Sequence, residues 1–488
     1  MIPMTLAEIA EAVGGELRST DGTPVVRGSV EFDSRRVAPG GLFVALPGER
    51  VDGHDFAAAA LAAGAVGVLA GRELEVPSVL APPVPVPRSA AYALAADTDG
   101  AGAAVLAALA ALAAQVVRTL ISGGLRVVGL TGSSGKTSTK DMVAALLAPL
   151  GATVSAPGSF NNEIGHPWTV LRAEPTTRHL VLELSARGPG QIAALCRIAP
   201  PSIGVVLNVG SAHLGEFGSR EVVAAAKGEL VEALPASGVA VLNADDAAVA
   251  AMARRTSARV VSFGHSPRAQ VRATDVRLDE RGRPSFRLVC PTGQAPVHLA
   301  MPGEHQVGNA LAAAAVALEL GATPALIAAI LASYQPVSRW RMEVTDRPDG
   351  VTVVNDAYNA NPESVAAALR ALIAMAGSQR RSWAVLGPLA ELGQATESAH
   401  RQIGALAAEL GVNRLVVVGE QARAMHAAAP NSVLVADVPA ALDLLHQELA
   451  PGDVVLIKAS RAVGLEVLAE GLLIGVDPVA GRSAESRR

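Results

Sequence analysis

The segment GLTGSSGKTSTK, residues 129–140, constrains this chain more than any other. It follows a short apolar run, RVVGL, and leads into DMVAALLAPLG, whose apolar residues recur at helical spacing. A strand that passes through a glycine-rich turn into a helix turns successive backbone N–H groups and a helix N-terminus toward an anion. Gly132, Ser133, Ser134 and Gly135 form that turn and Ser138 follows it. Lys136 supplies a cation for the terminal phosphates, and Thr137 a hydroxyl for Mg²⁺. The G-x-x-G-K-T spacing is shorter than the usual phosphate loop. A glycine-serine turn that binds nothing would not need the strand before it and the helix after it. Alone, the loop implies ATP or GTP and leaves the reaction open.

A loop of this kind needs a parallel sheet around it. Strand candidates at 179–184, 202–209, 238–244 and 258–264 alternate with helical patterns, the signature of a mostly parallel, doubly wound α/β sheet. A further α/β block of Rossmann-like pattern begins near Pro336, with strands at 351–357, 382–387, 414–419 and 453–458 between alanine-rich helices. Before the loop, residues 1 to 85 form a smaller α/β block, with short β-like runs (VVRGSVEF, GLFVALPG, GAVGVLA) and one helical run, FAAAALAAG. APPVPVPR at 81–88 reads as a loop, and GRSAESRR at the end as a frayed tail. At about 150 residues per domain, 488 residues make roughly three. The expected division is 1–118, 119–335 and 336–488.

Composition narrows the partners. A formal net charge of −5 argues against a nucleic-acid binder. Cys196 and Cys290 lack the spacing of a zinc site or a disulfide framework. The N-terminus shows no secretory pattern. The most membrane-like stretch, 101–117, is mostly alanine and about a turn short of a typical span. It reads as a helix of a soluble protein, so a cytoplasmic chain without stable membrane insertion is expected.

Three further residues are weak singly. Glu183 ends the strand LVLEL, where a carboxylate beside a phosphate loop is placed for Mg²⁺, although a lone Glu there is as often a surface residue. His213, in LNVGSAHL, would more often be structural than ligating. Lys227, in AAAKGEL, would ordinarily be a solvated helix residue. Their order is what matters. T-G-x-x-G-K-T, a strand ending in Glu, N-V-G-x-A-H-L and A-K-G-E-L, in that sequence, resemble the Mur ligases. The resemblance extends over nearly the whole chain, through FDSRRVAPGGLFVALPGERVDGHDF (32–56), SFNNEIGHP (159–167), MPGEHQVGNALAAAA (301–315), SRWRMEV (338–344), NDAYNANPES (355–364), LAELG (389–393) and KASRAVGLE (458–466).

The resemblance implies an ATP-dependent amide ligase that uses Mg²⁺ and activates a carboxylate as an acyl phosphate. YNANP with NNEIG points to the member that adds D-alanyl-D-alanine to UDP-N-acetylmuramoyl-tripeptide. By the same resemblance, Lys136 binds the β- and γ-phosphates, and Arg341 reaches the γ-phosphate. Thr137, Glu183, His213 and a carbamylated Lys227 attend the metal. His305 and Asn309 lie at adenine, with Asp356 and Asn361 near the nucleotide. Ser34 and Arg35 hold the uridine diphosphate part, and Asn161 and Asn162 the peptidyl region. A monomer is expected, with a hinge near Pro336 to Trp340 that closes before chemistry, because water would hydrolyse an acyl phosphate.

Some positions depart from the family pattern: Ser185, Gln191, Gln306, Trp340, Pro388 and Ala459. Pro388 matters most, since it removes a carboxylate and a backbone N–H. A related ligase with another amine, such as D-alanyl-D-lactate, or one serving specialised metabolism, is the alternative. A non-catalytic nucleotide-binding relative conflicts with the retained Lys136, Thr137, Glu183, His213, Lys227 and Arg341. A GTPase switch would need an N-K-x-D element, which the sequence lacks.

Overall fold

The structure is a computed structural model and describes residues 1–48, 51–85, 97–211 and 214–474. His213, residues 86–88 of the proline-rich loop and the tail at 481–488 lie outside the described residues. The fold is α/β throughout, in three domains.

The largest sheet has nine strands. Arg126–Thr131, which feeds the phosphate loop, sits inside it between His179–Glu183 and Ile203–Val206 and runs parallel to both. Thr153–Ser155, Val239–Asn243 and Arg259–Gly264 extend the parallel part. These strands are short apolar runs because helices cover both faces, so neither face can be polar. One flank departs from the expected pattern. Val271–Leu278, Pro284–Cys290 and Gly293–His298 form an antiparallel meander that the sequence reading does not mark. The signal was present in Pro284–Cys290, whose residues alternate between buried and more exposed.

The C-terminal sheet runs in the order Glu343–Asp346, Thr352–Asn355, Val454–Lys458, Ser382–Leu386, Arg414–Val418 and Ser432–Val435. Only its first pair is antiparallel. The small N-terminal sheet pairs Val30–Glu31, Leu42–Val44, Gly67–Ala70 and Ser78–Leu80 in parallel and adds Glu16–Arg18 antiparallel.

The helix Ala101–Ser122 is long and apolar enough to cross a membrane by length and composition, but 56% of its most apolar window is buried inside the fold. It starts where Asp97 and Asp99 accept from the free amides of Gly100, Ala101, Gly102 and Ala103. It packs on Leu6–Val13, Gly165–Val170 and Gln191–Ile198. One continuous core therefore spans the N-terminal block and one face of the central sheet, and position 118 falls inside the helix rather than at a linker.

The same two blocks are pinned by Trp168, which is 3% exposed. Its indole N–H donates to the Val30 carbonyl at 2.8 Å, and its ring meets Phe160 and Phe32 at 4.8 and 5.8 Å. Trp168→Ala removes that anchor and should lower unfolding free energy by about 3 kcal/mol in urea titration.

Candidate active site

The phosphate loop lies at the C-terminal end of an inner parallel strand, where open α/β sheets bind ligands. Gly135 takes φ +78°, and a Cβ there would fall 2.5 Å from Asn309 Oδ1. Only glycine therefore allows the loop to lie against the helix His305–Glu319. The Lys136 ammonium donates to the Gly132 carbonyl at 2.8 Å. Asn208 Oδ1 accepts from the Ser133 and Ser134 amides, both at 2.9 Å, and shapes the loop from the neighbouring strand end.

Glu183 is buried at the end of its strand. One carboxylate oxygen accepts from the Thr137 hydroxyl and the other from the Asn161 amide, each at 2.7 Å. Among the described residues no group of three or more His, Cys, Asp or Glu could hold a metal ion. The pairing of a hydroxyl with one carboxylate beside a phosphate loop nevertheless suits Mg²⁺, which takes few protein ligands and completes its shell with phosphate and water.

Lys227 is 3% exposed and lies near Lys136. Burial, and then the nearby charge of Lys136, pull its pKa down to about 7. This is not the solvated helix lysine that its type would suggest.

The C-terminal domain closes the opposite wall. Asn361 donates to the Ser133 carbonyl at 3.2 Å, and Glu363 accepts from the Ser211 amide at 2.7 Å. Arg187 reaches Glu391 at 2.9 Å, and the hydroxyls of Ser159 and Tyr358 touch. The Arg341 guanidinium stacks on Tyr358 at 4.1 Å. Its neighbours Trp340 and Met342 both have positive φ, +59° and +50°, a costly conformation for bulky side chains. Arg461 covers the Trp340 ring at 4.5 Å, and Asp356 holds the Met342 amide at 3.0 Å.

Ser133 to Ser138, Asn161, Asn162, Glu183, His305, Asn309, Arg341, Asp356 and Asn361 line one cleft of about 960 Å³. Some of these side chains already have protein partners. Asn162 accepts from the Gly165 amide at 3.0 Å, and Asp356 pairs with Lys458 at 2.7 Å. Ser34 and Arg35 do not line this cleft. They form a turn in which Ser34 is half-buried and the exposed Arg35 pairs with Asp33 at 2.8 Å. Asn208, Lys458 and Tyr358 join the site although the sequence reading did not single them out. Asn208 and Lys458 stand in segments quoted for their motif, at strand ends.

Family profiles match the chain in three places: the Mur ligase family catalytic domain at 28–113, the Mur ligase middle domain at 130–317 and the Mur ligase glutamate ligase domain at 340–461. The UDP-N-acetylmuramoyl-tripeptide--D-alanyl-D-alanine ligase of Mycobacterium tuberculosis is 56% identical over 97% of this chain and 98% of its own length. The chain belongs to the Mur ligase family. Among solved structures, MurF from Acinetobacter baumannii is 30% identical with TM-score 0.84, covering 97% of this chain and 99% of its own. MurF from Thermotoga maritima in complex with ADP is 30% identical with TM-score 0.76, covering 92% and 99%.

Three of the positions that depart from the expected family pattern have local accounts. Gln306 bridges Asn309 and His305 at 2.9 and 3.1 Å. Gln191 accepts from the Arg187 amide at 2.7 Å. Pro388 sits in a loop held by other donors and acceptors. The Leu389 amide donates to His400 and the Ala390 amide to Ser460, both at 2.8 Å.

Two outcomes follow from this geometry. Gly135→Ala should weaken nucleotide binding at least tenfold by titration calorimetry, because the strained φ and the Asn309 clash act together. Lys227 keeps its proton to its ordinary 10.5 when unfolded but only to about 7 when folded. The unfolded chain therefore binds more protons between these values, and stability should rise with pH across that window. In CO₂-free buffer, Lys227→Met should flatten the rise in denaturation midpoints.

Proposed function

We propose that this Mur ligase joins D-alanyl-D-alanine to UDP-N-acetylmuramoyl-tripeptide with hydrolysis of ATP to ADP and phosphate. The observation that carries the reading is the convergence of Lys136, Glu183 and Arg341 on one cleft, in a chain that matches ligases of that name end to end.

The chemistry follows from the residues. A carboxylate is a poor electrophile, so its oxygen first attacks the γ-phosphorus, the bond to ADP breaks and an acyl phosphate forms. Lys136 and Arg341 neutralise charge on the phosphates and hold them in line. The amine of the dipeptide then attacks the acyl carbon, loses a proton and displaces phosphate. Thr137 and Glu183 would hold Mg²⁺, with His213 and Lys227 assigned to the metal by family resemblance, and the ion would supply further neutralisation of the phosphates. Lys227, with its pKa near 7, has a neutral fraction able to add CO₂. With loss of a proton the product is an anionic carbamate, which suits a second metal ion.

His305 and Asn309 border the adenine, and Asp356 and Asn361 the rest of the nucleotide. Ser34 and Arg35 take the uridine diphosphate end, and Asn161 and Asn162 face the peptide. The working units follow 1–118, 119–335 and 336–488, the first boundary lying inside the helix Ala101–Ser122 that joins two of them, with the hinge at Pro336 to Trp340. Closure excludes water from the acyl phosphate. One chain supplies both Lys136 and Arg341 to the cleft, which suits a cytoplasmic monomer acting on small molecules.

Phosphate release should require the muramoyl tripeptide, ATP and D-alanyl-D-alanine together and yield the pentapeptide product. Preference for D-alanyl-D-lactate would reassign the amine, and no turnover with either would overturn the reading. Lys136→Ala should reduce kcat about 10²- to 10³-fold.

A further inference from the structure

Lys140, one turn beyond the phosphate loop, is fully buried. A buried ammonium needs an acceptor for each of its three protons, and Lys140 has three. It touches the Ala156 carbonyl, donates to the Gly158 carbonyl at 2.7 Å and pairs with Asp141 Oδ1 at 2.8 Å. Asp141 Oδ2 points elsewhere, accepting from the Ser338 amide at 3.3 Å. The two carbonyls open the segment that carries Ser159, which touches Tyr358, and Asn161, which holds Glu183. Ser338 lies in the linker that carries Arg341. Around it the Tyr334 and Ser338 hydroxyls are buried without a hydrogen-bond partner among the described residues, while further along the linker the Trp340 and Met342 amides donate to Glu343 and Asp356.

A core ion pair that only stabilised its own helix would not need to reach two other segments. We propose that Lys140 and Asp141 are positioning residues that set both the acceptor-facing segment 159–162 and the Arg341 linker against the phosphate loop. The pair sits on the helix Lys136–Leu147, which begins at the phosphate-binding lysine. It thus ties the nucleotide site, the acceptor site and the closing domain to one rigid element. The acceptor side of this inference rests on the substrate assignment proposed above.

Asp141→Asn separates the roles. Asn keeps the shape but has one acceptor oxygen, which cannot serve both Lys140 and Ser338. Lys140→Met removes the hold on the Ala156 and Gly158 carbonyls. Hydrogen–deuterium exchange on the full chain needs no substrate. Asp141→Asn should speed exchange in 334–342 and Lys140→Met in 156–165, while helix Lys136–Leu147 stays protected. In turnover, kcat should fall about ten- to a hundredfold. KM for the muramoyl tripeptide should rise while KM for ATP stays within about twofold, because the phosphate loop keeps its own contacts.

Exchange rising only within the helix, or unchanged in both segments, would overturn the proposal. So would an equal rise in both KM values. Should Lys140→Met fail to fold, Asp141→Asn still decides. Absence of turnover in the unmodified enzyme would count against the substrate assignment alone, and the exchange pattern would still test the positioning role.

Discussion

The buried carboxylate of Glu183 is the contact on which the geometry of the site depends. It accepts from Thr137 at the start of the helix Lys136–Leu147 and from Asn161 in the segment leading to Gly165–Val170. A buried carboxylate left without partners would be costly, so both donors are held in place as long as the strand end is. Because His179–Glu183 hydrogen-bonds directly to Arg126–Thr131, sheet register fixes the distance from the Glu183 carboxylate to the N–H groups of the phosphate loop. Strands do not slip by one residue when both faces are buried, and this gives the site its rigidity.

The opposite wall is built differently. The C-terminal domain meets the phosphate loop through a few polar contacts, Asn361 to Ser133 and Glu363 to Ser211 among them, rather than through a shared apolar core. The buried clusters of that domain contain only its own residues. The N-terminal block, in contrast, shares its core with the central sheet through the helix Ala101–Ser122. A polar interface can open and close at small cost, whereas separating a continuous core exposes apolar surface at about 25 cal/mol per Å². The wall that the proposed closure would move is the one attached without a core.

Much of this was legible in the chain. Most parallel strands of the central and C-terminal sheets were apolar runs bounded by turn residues and lie where those runs stand, but Thr153–Ser155 and Ser432–Val435 were not read. The phosphate loop was legible because its function needs a particular local backbone, which glycine positions betray. The antiparallel meander at 271–298 was not read, since its alternating pattern is diluted by charged, half-exposed residues. Lys227 looked like a solvated helix residue, because nothing in AAAKGEL records what packs over it. Lys140 stood in plain sight within the phosphate-loop motif, yet its three acceptors come from Asp141 beside it and from a loop that follows the helix.

The sequence by itself determined the class of fold, the anion cradle and the family, because these rest on local spacing: strand, glycine turn, lysine, helix. Tertiary structure alone decided which charges are buried, which amides are already taken and which wall of the cleft shares a core with the central sheet. Those properties depend on the surroundings of a side chain, set by segments far away in the chain, and burial changes the free energy of a lysine or a carboxylate by more than its residue type does.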